Sequence, residues 1–226
     1  MSETKPLNTE FTLEDNPHLG EIYLRTMAHT DRPIGEYVRY LGISPERLIG
    51  KLVLDLGSGT HRKFARDAEK IGVQVVSVDP VSPKMRLNHG DVSITAFEAY
   101  TIQAQADIAA GKLVRAAAQE LPLPDDTFDE AFSVFAVPYW LPKIDYDTHV
   151  TKSLTETVRV LKPGGGARLY PVTPIANPKR IGGGFVPEET VDLLTSAGCE
   201  VSMPRTSQPK SNGTGFWHRL IIKKAA

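Results

Sequence analysis

Cysteine is nearly absent from this sequence, and neither sign of charge is in excess. Its 226 residues contain one cysteine, Cys199, which excludes an internal disulfide and a zinc site built from several thiolates. The 26 basic side chains balance 27 acidic ones, so no overall field attracts nucleic acid or an acidic membrane. No apolar run reaches the roughly 18 residues of a membrane span. These absences disfavour a nucleic-acid or membrane binder and predict a cytoplasmic protein.

What the sequence does contain is enough apolar surface for one ordinary domain. Hydrophobic residues make up 41% of the chain, close to the globular average, and the length allows one domain with an appendage. Weak amphipathic patterns near residues 16–29 and 33–41 predict two helices. We therefore expect a helical N-terminal cap over residues 1–50 and a single domain over residues 51–226.

Short apolar runs alternate with segments of helical period from residue 51 onward, and Gly or Pro marks the changes. This alternation predicts an α/β fold with a mostly parallel sheet, helices on both faces and a C-terminal antiparallel hairpin. A helix is expected over residues 96–110, and a polar loop over residues 205–212. The predicted strands cover residues 51–56, 73–78, 113–117, 128–136, 167–172, 199–203 and 216–223.

The first strand runs into a glycine turn, with the sequence VLDLGSGTH over residues 53–61. Gly57 and Gly59 allow a ligand to approach the backbone, and the following helix start offers free N–H groups. Glycines used only for turn geometry are the alternative. A dinucleotide fingerprint would need a third glycine at Arg62, so a nucleotide-dependent oxidoreductase is a disfavoured third hypothesis. Asp79 ends the next strand, where a carboxylate binds ribose hydroxyls, unless Asp79 serves only a turn with Pro80.

Four segments of the sequence together resemble one enzyme family. They are VLDLGSGT at 53–60, SVD at 77–79, LPLPDDTFD at 121–129 and VLKPGG at 160–165. In this order and spacing they resemble the class I S-adenosylmethionine-dependent methyltransferases of the single-domain methyltransferase 11 group. The resemblance implies a Rossmann-like sheet of seven strands, six of them parallel. It also implies S-adenosylmethionine as the cofactor, bound across the carboxyl edge of the sheet.

Carried over residue by residue, the resemblance implies a set of cofactor-binding positions. The glycine turn would surround the amino-acid part of the cofactor, and Asp79 would bind the ribose. Adenine would lie near the residues around 80 and 119–121, and the methyl group near the end of the fourth strand. The implied residues are Asp55, Gly57, Ser58, Gly59, Thr60, His61, Asp79, Pro80, Gln119, Leu121 and Phe135.

Three positions depart from the family pattern. His61 replaces the third glycine of the turn, where it would narrow the pocket or contact the cofactor carboxylate. Ala117 replaces an acid that contacts adenine, and the amide of Gln119 is the expected substitute. The stretch after Pro80, to about residue 95, resembles an insertion. His61 and Ala117 motivate an alternative hypothesis, a non-catalytic methyltransferase-fold protein that serves as a binding or scaffold subunit.

The acceptor side has one partial motif, AVPYW at residues 136–140. Methyltransferases that act on amino groups carry a polar residue at its first position, so Ala136 disfavours a nucleobase or glutamine amide as acceptor. Tyr139 and Trp140 are expected either to form an aromatic wall for a small molecule or simply to pack. Methyl transfer from a sulfonium needs no metal and no covalent enzyme intermediate, and none of the six histidines is assigned as a base.

Overall fold

A central sheet organises the computed structural model, which describes residues 32–59, 61–80, 104–139, 141–142, 144–173, 184–209 and 216–226. The strand order is β3-β2-β1-β4-β5-β8-β6, and β7 pairs with β8. The strands are β1 (Leu52–Leu56), β2 (Gln74–Val78), β3 (Leu113–Val114), β4 (Phe128–Val134), β5 (Leu161–Val172), β6 (Glu200–Ser202), β7 (Arg205–Pro209) and β8 (Phe216–Lys223).

The direction of the strands confirms the predicted fold class. Strands β1 to β5 pair in parallel, and β8 runs antiparallel to β5 and to β6. Parallel strands put their carboxyl ends at one edge of a sheet. The segments that follow β1, β2 and β4 therefore come together at that edge.

The sheet has eight strands, so the expected count of seven is wrong, and the difference lies at β7. A polar loop is predicted over residues 205–212, yet Arg205 and Pro209 pair with the first half of β8. Because β6 pairs only with residues 221–223 of β8, the start of β8 offers free backbone groups to another strand. Thr206 turns inward and its hydroxyl donates to the Trp217 carbonyl. Residues 210–212 lie outside the described residues.

The helices largely follow the predicted pattern. They are α1 (Ile34–Leu41), α2 (Lys63–Glu69), α3 (Tyr146–Val160) and α4 (Glu188–Ser196), with a 3-10 turn at Pro45–Leu48. Residues 104–109 are also helical. The start of the helix predicted over 96–110 and the helix predicted near 16–29 lie outside the described residues.

Two apolar clusters cover the two faces of the sheet. Side chains alternate along β1, so Val53 joins one cluster while Leu54 and Leu56 join the other. Tyr37 and Leu41 of α1 are buried in the Val53 cluster. The helix α1 therefore shares a core with the strands, although the proposed boundary at residue 50 stays a prediction.

Two features are absent from the part of the chain that the structure describes. None of the helices in this part of the chain is long and apolar enough to cross a membrane. The same residues include no group of three or more His, Cys, Asp or Glu side chains placed to hold a metal ion.

Candidate functional site

The glycine turn after β1 joins the ends of three strands. The Gly57 N–H donates to the Val78 carbonyl at 2.7 Å, which ties the turn to β2. Gly57 has φ +74°, and a Cβ built on it would collide with the Cβ of Ala136, just after β4. Only glycine combines this backbone conformation with this close approach. The glycine at position 57 is therefore explained by the close approach of the segments that follow β1 and β4.

Asp79 binds the same turn. Its Oδ2 accepts a hydrogen bond from the Gly59 N–H at 2.8 Å, and the side chain is buried. The Ser58 hydroxyl donates to the Gly59 carbonyl at 2.9 Å. Gly59 and Asp79 are thus in direct contact, although they are twenty residues apart in the sequence. Pro80 follows Asp79 and is half-buried.

Two further predicted positions, His61 and Thr60, belong to the segment after Gly59. The side chain of His61 is half-buried next to the turn, at the place where the family has glycine. Thr60 lies outside the described residues, so its predicted role remains a prediction.

The carboxylate of Asp55 is buried beneath the turn, with 1% of the residue exposed. Its Oδ1 accepts a hydrogen bond from the Tyr37 hydroxyl of α1 at 2.8 Å. Its Oδ2 is buried and has no hydrogen-bond partner among the described residues. Burial raises the pKa of Asp55 to about 7, while the bond from Tyr37 and the charge of Arg62 lower it. A cationic ligand group beside Oδ2 would stabilise the ionised carboxylate.

Arg62 is a charged residue that is fully buried. The sequence analysis considered it only as the position where a dinucleotide fingerprint would need glycine. It has φ +47° and precedes α2. Its guanidinium donates to the Ser77 hydroxyl at 3.0 Å and to the Val75 carbonyl at 3.2 Å, and it pairs with Asp107 at 3.3 Å. The guanidinium occupies the space between α2 and β2 that a dinucleotide fold reserves for close helix–strand packing over glycine. This packing disfavours the oxidoreductase hypothesis.

The segment predicted to lie near adenine is held by α3. The Gln119 amide nitrogen is 3.2 Å from His149 Nδ1, and burial lowers the pKa of His149. Leu121 is buried, and its N–H donates to Glu156 at 2.8 Å. Arg159 donates to the Leu121 carbonyl at 2.9 Å. The bonds of Leu121 hold the backbone of the segment, and the Gln119 amide contacts His149 of α3.

An aromatic cluster, defined by Tyr40, Phe135, Tyr139, Tyr170 and Trp217, lies beyond the end of β4. Phe135 is at its centre, with ring contacts to Tyr40 at 5.6 Å, Tyr170 at 5.3 Å and Tyr139 at 5.8 Å. Tyr40 stacks on Tyr170 at 4.7 Å, and Tyr139 meets Trp217 edge-on at 5.8 Å. Phe135 has φ +54°, an uncommon conformation for a bulky side chain.

Sequence reasoning found some members of this cluster and missed others. It named Phe135 and Tyr139, and both belong to the cluster, whereas Trp140 lies outside the described residues. It missed Tyr40, Tyr170 and Trp217, as well as Tyr37 beside Asp55. The only sequence signal for the α1 residues is the i, i+3 spacing of Tyr37 and Tyr40, which places them on one helix face. Nothing in the sequence links that face to the carboxyl edge of the sheet.

The described residues fit a nucleoside that carries an amino-acid group. The turn carries no side chain at Gly57 or Gly59, and Asp79 supplies a buried carboxylate at the end of β2. Asp55 offers a buried oxygen without a donor, which suits an ammonium group. Phe135 and the rest of the aromatic cluster supply rings that meet mostly edge to face after the end of β4, and the Arg32 guanidinium lies 4.7 Å over the Phe135 ring.

A comparison with protein families gives one match. The family model described as "Methyltransferase domain" matches residues 54–169, about half of the chain. These residues include the glycine turn, Asp79 and the LPLPDDTFD segment. No curated protein matches the sequence.

Solved structures share the fold at low sequence identity. The 1,6-didemethyltoxoflavin-N1-methyltransferase of Burkholderia thailandensis, solved with 1,6-didemethyltoxoflavin and S-adenosylhomocysteine, is 17% identical with a TM-score of 0.57. The comparison covers 99% of this chain and 93% of that one. The [4+2]-cyclase SpnF is 16% identical with a TM-score of 0.54, over 87% and 81% of the two chains. A SAM-dependent methyltransferase of Methanosarcina mazei is 18% identical with a TM-score of 0.51, over 80% and 96%.

Proposed function

Because this chain belongs to the methyltransferase-domain family of S-adenosylmethionine-dependent enzymes, we propose that it transfers a methyl group to a small-molecule acceptor. The observation that carries the proposal is the contact between Gly59 and Asp79. This contact supports the proposal that Asp79 binds the ribose beside a turn that holds the amino-acid part of the cofactor. The family match covers both residues.

S-adenosylmethionine supplies a methyl group on a sulfonium, which is already activated for transfer. The work of the protein is then to bind, orient and exclude water. Asp79 is proposed to hold the ribose, and Asp55 the amino-acid end. Gly57, Ser58 and Gly59 form the turn around that end, with Thr60 and His61 as their proposed extension. Gln119 and Leu121, with Pro80, are the proposed neighbours of adenine.

The acceptor side is proposed to be the aromatic cluster. Aromatic rings bind flat or apolar small molecules through stacking and edge contacts. Within the cluster, the ring of Tyr139 contacts that of Phe135. The side chain of Ala136 has no polar atom that could accept a hydrogen bond from an amine. Amino-directed enzymes carry a polar residue at this position. The methyltransferase of Burkholderia thailandensis named above was solved with a small molecule and S-adenosylhomocysteine bound, which supports a small acceptor here. The reducing cytoplasm suits the one buried thiol, Cys199, and we propose that location.

Two measurements on the full chain test this function. Calorimetry with S-adenosylhomocysteine is expected to show binding, and no binding would reject the proposal. Incubation with methyl-labelled S-adenosylmethionine and pooled small aromatic and heterocyclic compounds is expected to give a labelled small product by mass spectrometry. Pooled nucleic acids and proteins serve as competing acceptors, and label in either would reject the small-molecule class.

A third result would favour the non-catalytic alternative. The fold is shared with the cyclase SpnF, so the fold by itself does not decide the reaction. Binding of S-adenosylhomocysteine, with no labelled product from any acceptor pool, would support a binding or scaffold protein.

A further inference from the structure

The two carboxylate oxygens of Asp55 have different surroundings, and the difference comes from α1. Oδ1 accepts the Tyr37 hydroxyl at 2.8 Å. Oδ2 is buried with no hydrogen-bond partner among the described residues. A buried carboxylate oxygen without a donor costs free energy. The carboxylate is therefore oriented with one oxygen occupied and one left for a donor that a ligand would bring.

Tyr37 is held firmly enough to set this orientation. Its ring stacks on Phe64 of α2, with centroids 4.0 Å apart and an interplanar angle of 11°. Only 4% of the residue is exposed. The start of α1 is also tied to α2, because Asp67 accepts a backbone hydrogen bond from Ile34. The hydroxyl of Tyr37 thus has a defined place beside Asp55.

We propose that Tyr37 is a positioning residue of the cofactor site. Its hydroxyl holds one oxygen of Asp55, so that the other oxygen accepts the ammonium group at the amino-acid end of S-adenosylmethionine. The inference rests on the proposed function and deepens it. It makes α1, which lies outside the region of the family match, a working part of the cofactor site.

The charges around Asp55 predict how this arrangement responds to pH. Tyr37 faces the carboxylate from α1, Arg62 from the start of α2 and Asp79 from the end of β2. Arg32, before α1, acts on Tyr37. The strand neighbours of Asp55 are Ser77 on β2 and Phe132 on β4, and neither carries a charge.

Burial raises the pKa of Asp55 to about 7, and the hydrogen bond from Tyr37 lowers it. An ammonium group prefers the ionised carboxylate, so affinity for a ligand with this group falls as the pH drops below 7. Removing the Tyr37 hydroxyl raises the pKa of Asp55 further and moves this loss to higher pH. His61, on the adjacent turn, is a further titratable side chain of this region.

Calorimetric titration of the full chain between pH 5.5 and 8.5 tests the proposal with two ligands. S-adenosylhomocysteine carries the ammonium group, whereas 5′-methylthioadenosine keeps the adenosine and lacks the amino-acid end. In the unmodified protein, affinity for S-adenosylhomocysteine is expected to fall toward about tenfold per pH unit below the midpoint. Affinity for 5′-methylthioadenosine is expected to stay nearly constant.

The variant Tyr37→Phe keeps the stacked ring and removes the hydroxyl. The matched control is Tyr146→Phe, which removes a hydrogen-bonded hydroxyl from a buried tyrosine on α3. Tyr37→Phe is expected to move the midpoint for S-adenosylhomocysteine upward and to weaken its binding at pH 7 by about tenfold. It should leave 5′-methylthioadenosine unaffected, and Tyr146→Phe should leave the midpoint unchanged.

An unchanged midpoint in Tyr37→Phe overturns the proposal, as does an equal loss for both ligands. If Tyr37→Phe fails to fold, the unmodified protein decides, because a pH-independent affinity for S-adenosylhomocysteine overturns the proposal as well. Absence of binding by both nucleosides would reject the proposed function itself, so the two failures are distinguishable.

Discussion

Two neighbouring regions at the carboxyl edge of the sheet are built in different ways. The proposed cofactor edge, which we define as residues 55–59 and Asp79 and call the cofactor edge below, contains backbone groups, two glycines and two buried carboxylates. The aromatic cluster is made of side chains from α1, β5, β8 and the segment after β4. The first region comes from two short stretches of sequence and the second from segments spread over nearly 180 positions of the chain.

The two regions therefore differ in how well they can be predicted from a sequence. A turn that contacts the backbone of a ligand needs glycine at set positions, and those positions are close together in the chain. An apolar wall needs only rings that meet in space, and many combinations of segments supply them. The cofactor edge is therefore expected to tolerate substitution poorly, and the aromatic cluster to tolerate it better.

The largest effect is expected from Gly57→Ala, which breaks the cofactor edge. The new Cβ collides with Ala136, and the alanine must adopt a positive φ. Strain and overpacking together should cost about 3 kcal/mol or more in the free energy of unfolding, with loss of S-adenosylhomocysteine binding. Urea denaturation and calorimetry measure both quantities.

Two controls separate the clash from the backbone strain. Gly164→Ala has a similar φ of +76° but nothing within 4 Å of the new Cβ, so it should show strain alone. Ala136→Gly added to Gly57→Ala should recover part of the lost stability. No recovery would mean that the contact with Ala136 does not hold the turn.

The next effect concerns the cost of burying Asp55. Its folded-state pKa of about 7 lies above the usual value near 3.9, so the folded protein binds an extra proton between these pH values. Stability supplied by this group is present at low pH and falls as the pH rises to 7. Asp55→Asn removes the titrating carboxyl group. The free energy of unfolding of this variant, relative to that of the unmodified protein, should therefore rise by about 2 kcal/mol between pH 5 and pH 8. Urea denaturation at both pH values measures this, and a constant difference would contradict it.

A comparable or smaller effect is expected from Asp79→Ala at the ribose end of the cofactor edge. Loss of hydrogen bonds to the ribose and to Gly59 should weaken binding of S-adenosylhomocysteine by about 1 to 3 kcal/mol. Asp192→Ala, an exposed acid on α4, is the charge-matched control and should bind normally. Unchanged affinity in Asp79→Ala would place the cofactor elsewhere.

The smallest effect is expected in the aromatic cluster. A double-mutant cycle of Tyr40→Leu and Tyr170→Leu, measured by urea denaturation, should give a coupling energy of about 0.5 to 1.5 kcal/mol for the stacked pair. Neither substitution should change the affinity for S-adenosylhomocysteine by more than about twofold. A large loss of affinity would show that the two regions are not separable.

The fold was largely predictable from the sequence, and the exceptions have local causes. The alternation of apolar runs and helical stripes predicted the parallel sheet, because burial on both faces requires continuous apolar strands. The strand β7 was missed because its pattern is polar. It forms because β8 extends past β6 and leaves backbone groups to be paired.

The buried Arg62 was missed for a similar reason. Its charge predicts exposure, yet Ser77, Val75 and Asp107 together satisfy the guanidinium inside the protein. A buried charge of this kind depends on partners from separate segments, so no local sequence pattern predicts it.

Local sequence patterns were enough to predict the fold class, the glycine turn and the two carboxylates beside it, because each depends on neighbouring residues and on the period of a strand or helix. Tertiary packing selected the side chains that contact these residues. It brought Tyr37 to Asp55 across 18 positions and Trp217 to Tyr139 across a longer separation. Such contacts arise from the packing of whole elements, and packing depends on the shape of the complete core rather than on any one segment.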